Sequence, residues 1–196
     1  CLGVPTQGVH SRIIDPETLH ELPQGEVGEL VTRGAQVMRG YWRNPQADQD
    51  AFITLDGERY FRTGDLALVD ADGYYFMRDR LKRMINASGF KVWPAEVENT
   101  LYEHPAVHEA CVIAVPDDKR GESVLALIVL KPGFQGQLTE QALIDWGRQR
   151  MAVYKAPREV RFIGSLPKSG TGKIMWRQLQ EQEHARVAAS PLQETP

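Results

Sequence analysis

At 196 residues, with 42% hydrophobic and 25% charged residues, the chain can bury one large core or two small ones and has the composition of a globular protein. A formal net charge of -3 lacks the basic surplus of a general nucleic-acid binder, and no apolar run reaches the roughly 18 residues of a membrane span. The two cysteines, Cys1 and Cys111, make no disulfide framework, and with no charged-then-apolar leader ahead of them they point to a reducing, cytosolic setting. The chain opens at Cys1, without an initiator methionine and directly in turn-and-strand sequence, which predicts a fragment of a longer protein rather than a processed mature start.

Residues 1 to 79 read as short strands between turns. Ser11 to Ile14 and Glu29 to Thr32 are strand candidates, punctuated by Pro5, Asp15-Pro16, Pro23 and Gly25. Asn44-Pro45 predicts a short capped helix, with asparagine at the N-cap and proline at the first helical position. Leu66 to Val69 and Tyr74 to Met77 flank Asp70-Ala-Asp-Gly73, a hairpin turn signal. This stretch is β-rich and barrel-like.

From about Asp79 the rhythm changes. Pro94 starts a helix whose first turn carries acids suited to the helix dipole. Val107 to Val115 and Val124 to Lys131 are runs rich in β-branched residues, the pattern of buried strands, and Cys111 lies inside one. Thr139 caps a helix to about Arg150, with Leu138 and Leu143 spaced as a hydrophobic staple. Glu159 to Ile163 predicts another strand, and Ile174 to about Glu183 a last helix. Ala185 to Pro196 is polar and expected to fray. No internal repeat is present. The expected fold is α+β: a β-rich, barrel-like end of a large domain over residues 1–79, then a small α/β domain over 80–184 with a short central sheet and flanking helices, then a tail over 185–196.

Four segments carry candidate chemistry. In Tyr60-Phe-Arg-Thr-Gly-Asp65, a carboxylate after a Thr-Gly turn can accept two hydrogen bonds from a vicinal diol such as a ribose, because an ionised carboxylate only accepts and hydroxyls donate. Such a turn acid, taken alone, is more often structural. Asp79 to Lys91 crowds charge at the boundary between the two halves and ends in a Ser88-Gly89 turn; alone it reads as a solvated linker. Asp117 to Glu122 is a charged loop between buried strands, by itself an ordinary surface loop. Pro167-Lys-Ser-Gly-Thr-Gly-Lys173 suggests phosphate contact, since bare backbone approaches anions and an ammonium neutralises them. It is not a P-loop: Pro167 stands where the first glycine is needed, Ile174 replaces the magnesium-binding hydroxyl, and no opening βαβ unit frames it.

In this order and spacing the segments resemble the adenylate-forming superfamily of acyl-CoA synthetases, luciferases and peptide-synthetase adenylation domains. The resemblance rests on Gly40-Tyr-Trp-Arg-Asn-Pro45, the Arg62-Thr-Gly-Asp65 turn, Asp79-Arg80 with Ser88-Gly89-Phe90, Pro94-Ala-Glu-Val-Glu98 and the loop ending at Lys173, and it covers residues 1 to about 183. It implies the C-terminal part of a fatty-acid–CoA ligase, whose parent turns a carboxylic acid, ATP and CoA into an acyl-CoA through an acyl-adenylate. The implied cofactor is ATP with Mg2+, the ion held mainly through ATP and an N-terminal part of the same protein that lies outside this chain; CoA is the co-substrate. By the same resemblance, Asp65 holds the ribose hydroxyls, Arg80 makes a second nucleotide contact, and Lys82 is the hinge about which the small domain turns between half-reactions. Lys173 is the catalytic lysine of adenylation. Ser88, Gly89 and Phe90 line the thiol's path, and Arg120 meets a CoA phosphate, with Lys91 and Arg148 as weaker candidates for that role.

No metal site is expected in the chain: His104 and His108 are four apart, but Pro105 breaks any helix between them. Trp93, Trp146 and Trp176 read as packing residues. The Asp79-Arg-Leu-Lys82 and Ser88-Gly-Phe-Lys-Val-Trp-Pro94 wording resembles fatty-acid and aryl-acid CoA ligases most, and a medium- or long-chain fatty acid is the expected substrate. The alternatives are an adenylation domain of a peptide synthetase, an aryl-acid CoA ligase, and, from another class, a non-catalytic nucleotide- or CoA-binding module. A cytoplasmic enzyme is expected, with room for peripheral membrane contact and no nucleic-acid partner.

Overall fold

A computed structural model describes residues 1–189. The chain divides into two compact units, Cys1–Lys82 and Arg83–Pro196. Among the described residues no helix is long and apolar enough to cross a membrane.

The first unit is built on antiparallel strands: β1 (His10–Ile14), β2 (Gly28–Arg33), helix α1 (Pro45–Ala51), β3 (Phe52–Leu55), β4 (Glu58–Val69) and β5 (Tyr75–Arg80). The sheet is an open, curled half-barrel of order β1-β2-β4-β3, with β5 also on β4. At 12 residues β4 is its spine, pairing β2 along one edge and β3 then β5 along the other. The β3–β4 hairpin turns on Asp56-Gly57, both at positive φ (51° and 77°), as a two-residue loop demands. Sequence reading passed over this hairpin, although Asp-Gly between apolar runs is its signal. The β4–β5 turn is held by Asp70, whose Oδ1 accepts the Asp72 and Tyr74 N–H groups at 3.0 and 2.8 Å. Asn44 caps α1 through the Ala47 N–H at 3.1 Å. Ile14, Val31 and Tyr60 form the buried core, with Leu19, Ile53 and Leu55 packed on it.

The second unit holds β6 (Ile85–Ala87), β7 (Phe90–Val92), α2 (Pro94–Tyr102), β8 (Val107–Asp117), β9 (Gly121–Leu130), α3 (Glu140–Arg148), β10 (Glu159–Phe162) and α4 (Trp176–Ala189). β8 and β9 form a long antiparallel ribbon, β10 adds parallel to β9, and the β6–β7 hairpin joins β9 through Ala87 and Gly121. Successive side chains of a strand point to opposite faces. Val112, Ala126 and Ile128 therefore meet Val97, Leu101, Leu143 and Ile144 of α2 and α3, while Cys111, Ile113, Leu125 and Leu127 meet Leu179 and Trp176 of α4. Helices cover both faces, which is why these strands read as continuous apolar runs rather than alternating ones. Thr139 caps α3 through the Ala142 N–H at 3.1 Å. Leu138 and Leu143 join the same core.

The last helix differs from expectation. Ile174 does not start it but bridges Lys168 as a strand-like pair, and α4 begins at Trp176. Ala185–Ala189, expected to fray, continue α4; the rest of the expected tail, 190–196, lies outside the described residues. The extension has a tertiary cause. Glu183 is paired by Arg161 of β10 and by Arg186, and His184 Nε2 lies 3.3 Å from the Ala114 carbonyl of β8.

Candidate functional site

Asp65 and Arg80 face each other across β4 and β5. Arg80 Nε lies 3.0 Å from Asp65 Oδ1 as an ion pair, with the Arg80 side chain 66% exposed and Asp65 19%. Yet Oδ1 is buried and accepts no hydrogen bond, so this contact is not a directed one. A buried carboxylate oxygen left without a donor is costly unless a further group supplies one.

The backbone that presents Asp65 is a bulge. Glu29 of β2 pairs with Leu66 while Val31 pairs with Arg62, so Thr63, Gly64 and Asp65 together face Leu30 alone. Bulges bend a strand and re-aim its side chains. Gly64 has φ +68°, a left-handed value that glycine takes without the penalty of a Cβ. The Thr63 hydroxyl donates to the Leu30 carbonyl at 2.6 Å and accepts the Asp65 N–H at 3.0 Å. On the other side, Glu29 accepts the Gly64 N–H at 3.2 Å and the Arg62 Nε and Nη2 at 3.0 and 2.6 Å. Glu29 was placed in a strand by sequence but not in the site; a lone carboxylate inside an apolar strand was the available signal. Beside this turn lies an open cavity of about 420 Å3, lined by Glu29, Tyr41, Arg62, Thr63, Gly64 and Lys82 among others. Asp65 does not line it.

In the second unit, Ser88 and Gly89 are the two central residues of the β6–β7 hairpin, with Ala87 paired to Phe90. Their φ values are +57° and +84°, both positive as in a type I′ turn. Asn86 Oδ1 accepts the Gly89 N–H at 2.9 Å. The Ser88 N–H donates to the Arg120 carbonyl at 3.2 Å, which joins this hairpin tip to the β8–β9 turn. Arg120 is itself held by Asp117, whose Oδ1 accepts its N–H at 3.1 Å. The Phe90 ring stacks on Tyr154 at 4.7 Å between centroids. Ser88, Gly89 and Phe90 are thus exposed at one hairpin tip, joined through backbone to half-buried Arg120. Lys91 follows on β7, whereas Arg148 sits on α3 paired with Asp145 at 3.4 Å.

Lys173 projects from a closed loop. The Ser169 N–H donates to the Lys173 carbonyl at 2.8 Å, the Lys173 N–H to Ser169 Oγ at 3.2 Å, and Gly172 turns the chain at φ +79°. Lys168 pairs with Glu109 of β8 and ties the loop's base to the sheet. Lys173 itself is exposed. The two ends of the loop pair with each other, so it is a pedestal for one ammonium rather than a phosphate cradle opening a helix. Lys82 is exposed and ends the first unit, inside the 3-10 turn Leu81–Arg83.

Of the remaining singled-out residues, His104, Trp146 and Trp176 are engaged in packing, whereas His108 is exposed. His104 Nδ1 accepts the Ala106 N–H at 3.2 Å and its ring meets Trp146 edge-on at 5.0 Å. Trp146 and Trp176 pack against the two cores of the second unit. Among the described residues no three His, Cys, Asp or Glu side chains gather as metal ligands.

Comparison with known proteins adds the family. Residues 96–173 match the model of the AMP-binding enzyme C-terminal domain, and residues 1–42 match the AMP-binding enzyme model. A long-chain-fatty-acid–CoA ligase of Escherichia coli O6:H1 is 37% identical over 95% of this chain and 32% of the relative. A feruloyl-CoA synthase of an Amycolatopsis species is 42% identical over 88% of this chain and 34% of the relative. The crystal structure of ATP-bound MatB from Rhodopseudomonas palustris superposes with a TM-score of 0.84 at 34% identity, over 92% of this chain and 35% of that one. The chain spans about a third of the length of the curated relatives it matches. It belongs to the AMP-binding family of adenylate-forming enzymes.

Proposed function

We propose that the full-length protein carrying this chain is an ATP-dependent acid–thiol ligase that activates a fatty acid of medium or long chain and transfers it to CoA in the cytoplasm. In the first half-reaction a carboxylate oxygen attacks the α-phosphorus of magnesium-bound ATP, the bond to the β-phosphate oxygen breaks, and pyrophosphate leaves. In the second, the CoA sulfur attacks the acyl carbon, the bond to AMP breaks, and the thiol proton is lost. The observation that carries the reading is the Asp65–Arg80 pair, with Arg80 Nε 3.0 Å from Asp65 Oδ1 across β4 and β5, next to the left-handed Gly64.

In this reading Asp65 accepts from the ribose hydroxyls and Arg80 adds a cationic nucleotide contact. Lys173 offsets the charge that builds between carboxylate and α-phosphate, a contribution that grows where water is excluded. Lys82 is the pivot between half-reactions, and residues 80–184 are the mobile part. The left-handed Ser88-Gly89 tip leaves open space for pantetheine, since nothing lies within 4 Å of a Cβ built at Gly89. Arg120 meets a CoA phosphate. The remainder of the ATP site and the acid pocket belong to the N-terminal part of the parent. Similarity to the feruloyl-CoA synthase favours an aryl acid as the second reading.

The test is acid-dependent exchange of pyrophosphate into ATP by the full-length parent, run with fatty acids of graded length and with ferulate, followed by CoA-dependent release of AMP. Exchange with fatty acids and AMP release on adding CoA are expected. Exchange with ferulate alone would select the aryl-acid reading. Nucleotide or CoA binding with no exchange for any acid would select the non-catalytic module.

A further inference from the structure

Asp65 is aimed by a bulge, and the bulge is tethered by Glu29, 36 positions before Asp65. We propose that Glu29 is a positioning residue for nucleotide binding: through the Gly64 N–H and the Arg62 guanidinium it sets the turn that points the Asp65 carboxylate at the ribose. The proposal rests on the ribose reading of Asp65 given above.

Glu29 is 1% exposed, and each of its oxygens has a task. Oε1 accepts the Gly64 N–H at 3.2 Å, while Oε2 takes both Arg62 Nε and Nη2. Arg62 Nη2 also donates to the Pro16 carbonyl at 3.2 Å, so a second acceptor holds the guanidinium. Gly28 makes the burial of Glu29 possible: a Cβ there would lie 2.4 Å from the Ile14 carbonyl oxygen, so only glycine lets β1 and β2 close over it. A charge is buried this deeply only when paired and hydrogen-bonded. The partners are Arg62 and Gly64, three residues and one residue before Asp65. Between Gly64 and Asp65 one peptide separates the tether from the carboxylate, and the Thr63 hydroxyl holds the far side. With the Gly64 peptide freed, the Asp65 carboxylate loses its fixed direction while its own atoms remain intact.

Glu29→Gln keeps the shape but has one acceptor oxygen and one NH2. If the oxygen stays on Arg62, a donor faces the Gly64 N–H, and the tether to the bulge is lost. Glu29→Asp keeps the buried charge for Arg62 but is one methylene short of serving both partners, and gives a second variant if the glutamine form melts too low.

The experiment measures the KM for ATP and for 2′,3′-dideoxy-ATP in acid-dependent pyrophosphate exchange by the full-length parent, in wild type, Asp65→Ala, Glu29→Gln and Glu29→Asp. Wild type should prefer ATP, and Asp65→Ala should erase the preference. Either Glu29 variant should raise the KM for ATP about tenfold, the scale of one lost charge-assisted hydrogen bond, and leave the dideoxy KM within about twofold. Equal rises for both nucleotides would mean general loosening and overturn the proposal. So would an unchanged preference in the Glu29 variants when Asp65→Ala has lost it; in that case the ribose reading survives and only Glu29 is misassigned. A wild type indifferent to the ribose hydroxyls would remove the ribose reading and the proposal together.

Discussion

Left-handed backbone at Gly89 means that a side chain there acts twice, by strain and by bulk. A non-glycine residue at φ +84° costs about 1 kcal/mol or more, whatever its size. Gly89→Ala therefore carries the strain with little bulk, and Gly89→Leu carries both. We expect the two to melt alike and Gly89→Leu alone to lose CoA thioester formation; equal losses in both would move the effect from the thiol's path to the turn. Arg120→Ala should raise the KM for CoA at low salt and flatten its rise with ionic strength, because the screened contact is gone. A KM with unchanged salt dependence would dismiss Arg120 as the phosphate contact. Burial pushes the Cys111 thiol up to about 12, and it is 1% exposed, whereas Cys1 is exposed. Thiolate is the reactive form, so a disulfide reagent at pH 8 should label Cys1 fast and Cys111 only on unfolding. The Ser88-Gly89 turn was legible because turn chemistry is local, whereas the turn expected at Thr63-Gly64 is a bulge within β4. Glu29 was not legible, since its partner lies 35 residues away and the bulge that unites them is a matter of register.

Among the elements, the β8–β9 ribbon was legible for the reason that makes it the centre of the second unit: both its faces are covered, so its sequence is apolar without interruption. The C-terminal end of α4 was not, because its hold is a set of long-range ion pairs rather than a periodic apolar stripe. Burial by itself raises the Glu183 carboxyl, but hydrogen bonds from Arg161 and Arg186 outweigh it and leave the group below its ordinary value. A carboxyl lowered by folding contributes stability that is full above its unfolded value and is lost as pH falls through the folded one. We expect amide exchange in α4 to speed up as pH drops below about 4.5, after correction for intrinsic rates, with Glu183→Gln flattening that dependence. An α4 whose protection is indifferent to acid and to Glu183→Gln would show that Leu179 and Trp176 hold the helix without the pairs.

For the whole molecule, the change of rhythm near Asp79 and the division between Lys82 and Arg83 concern the same short stretch. We expect limited proteolysis to cut first within 79–82 or in the exposed 167–173 loop; first cuts within the buried stretches 110–115 or 124–128 would contradict the two-unit account. The most direct measurement of the central claim compares the two half-reactions in Lys173→Ala of the full-length parent. Acyl-adenylate formation should fall about 100-fold or more, the scale of one lost charge-stabilising group, while thioester formation from preformed acyl-adenylate stays within about threefold. Equal losses in both half-reactions would contradict the assignment of Lys173 to the first step and the two-step use of this chain.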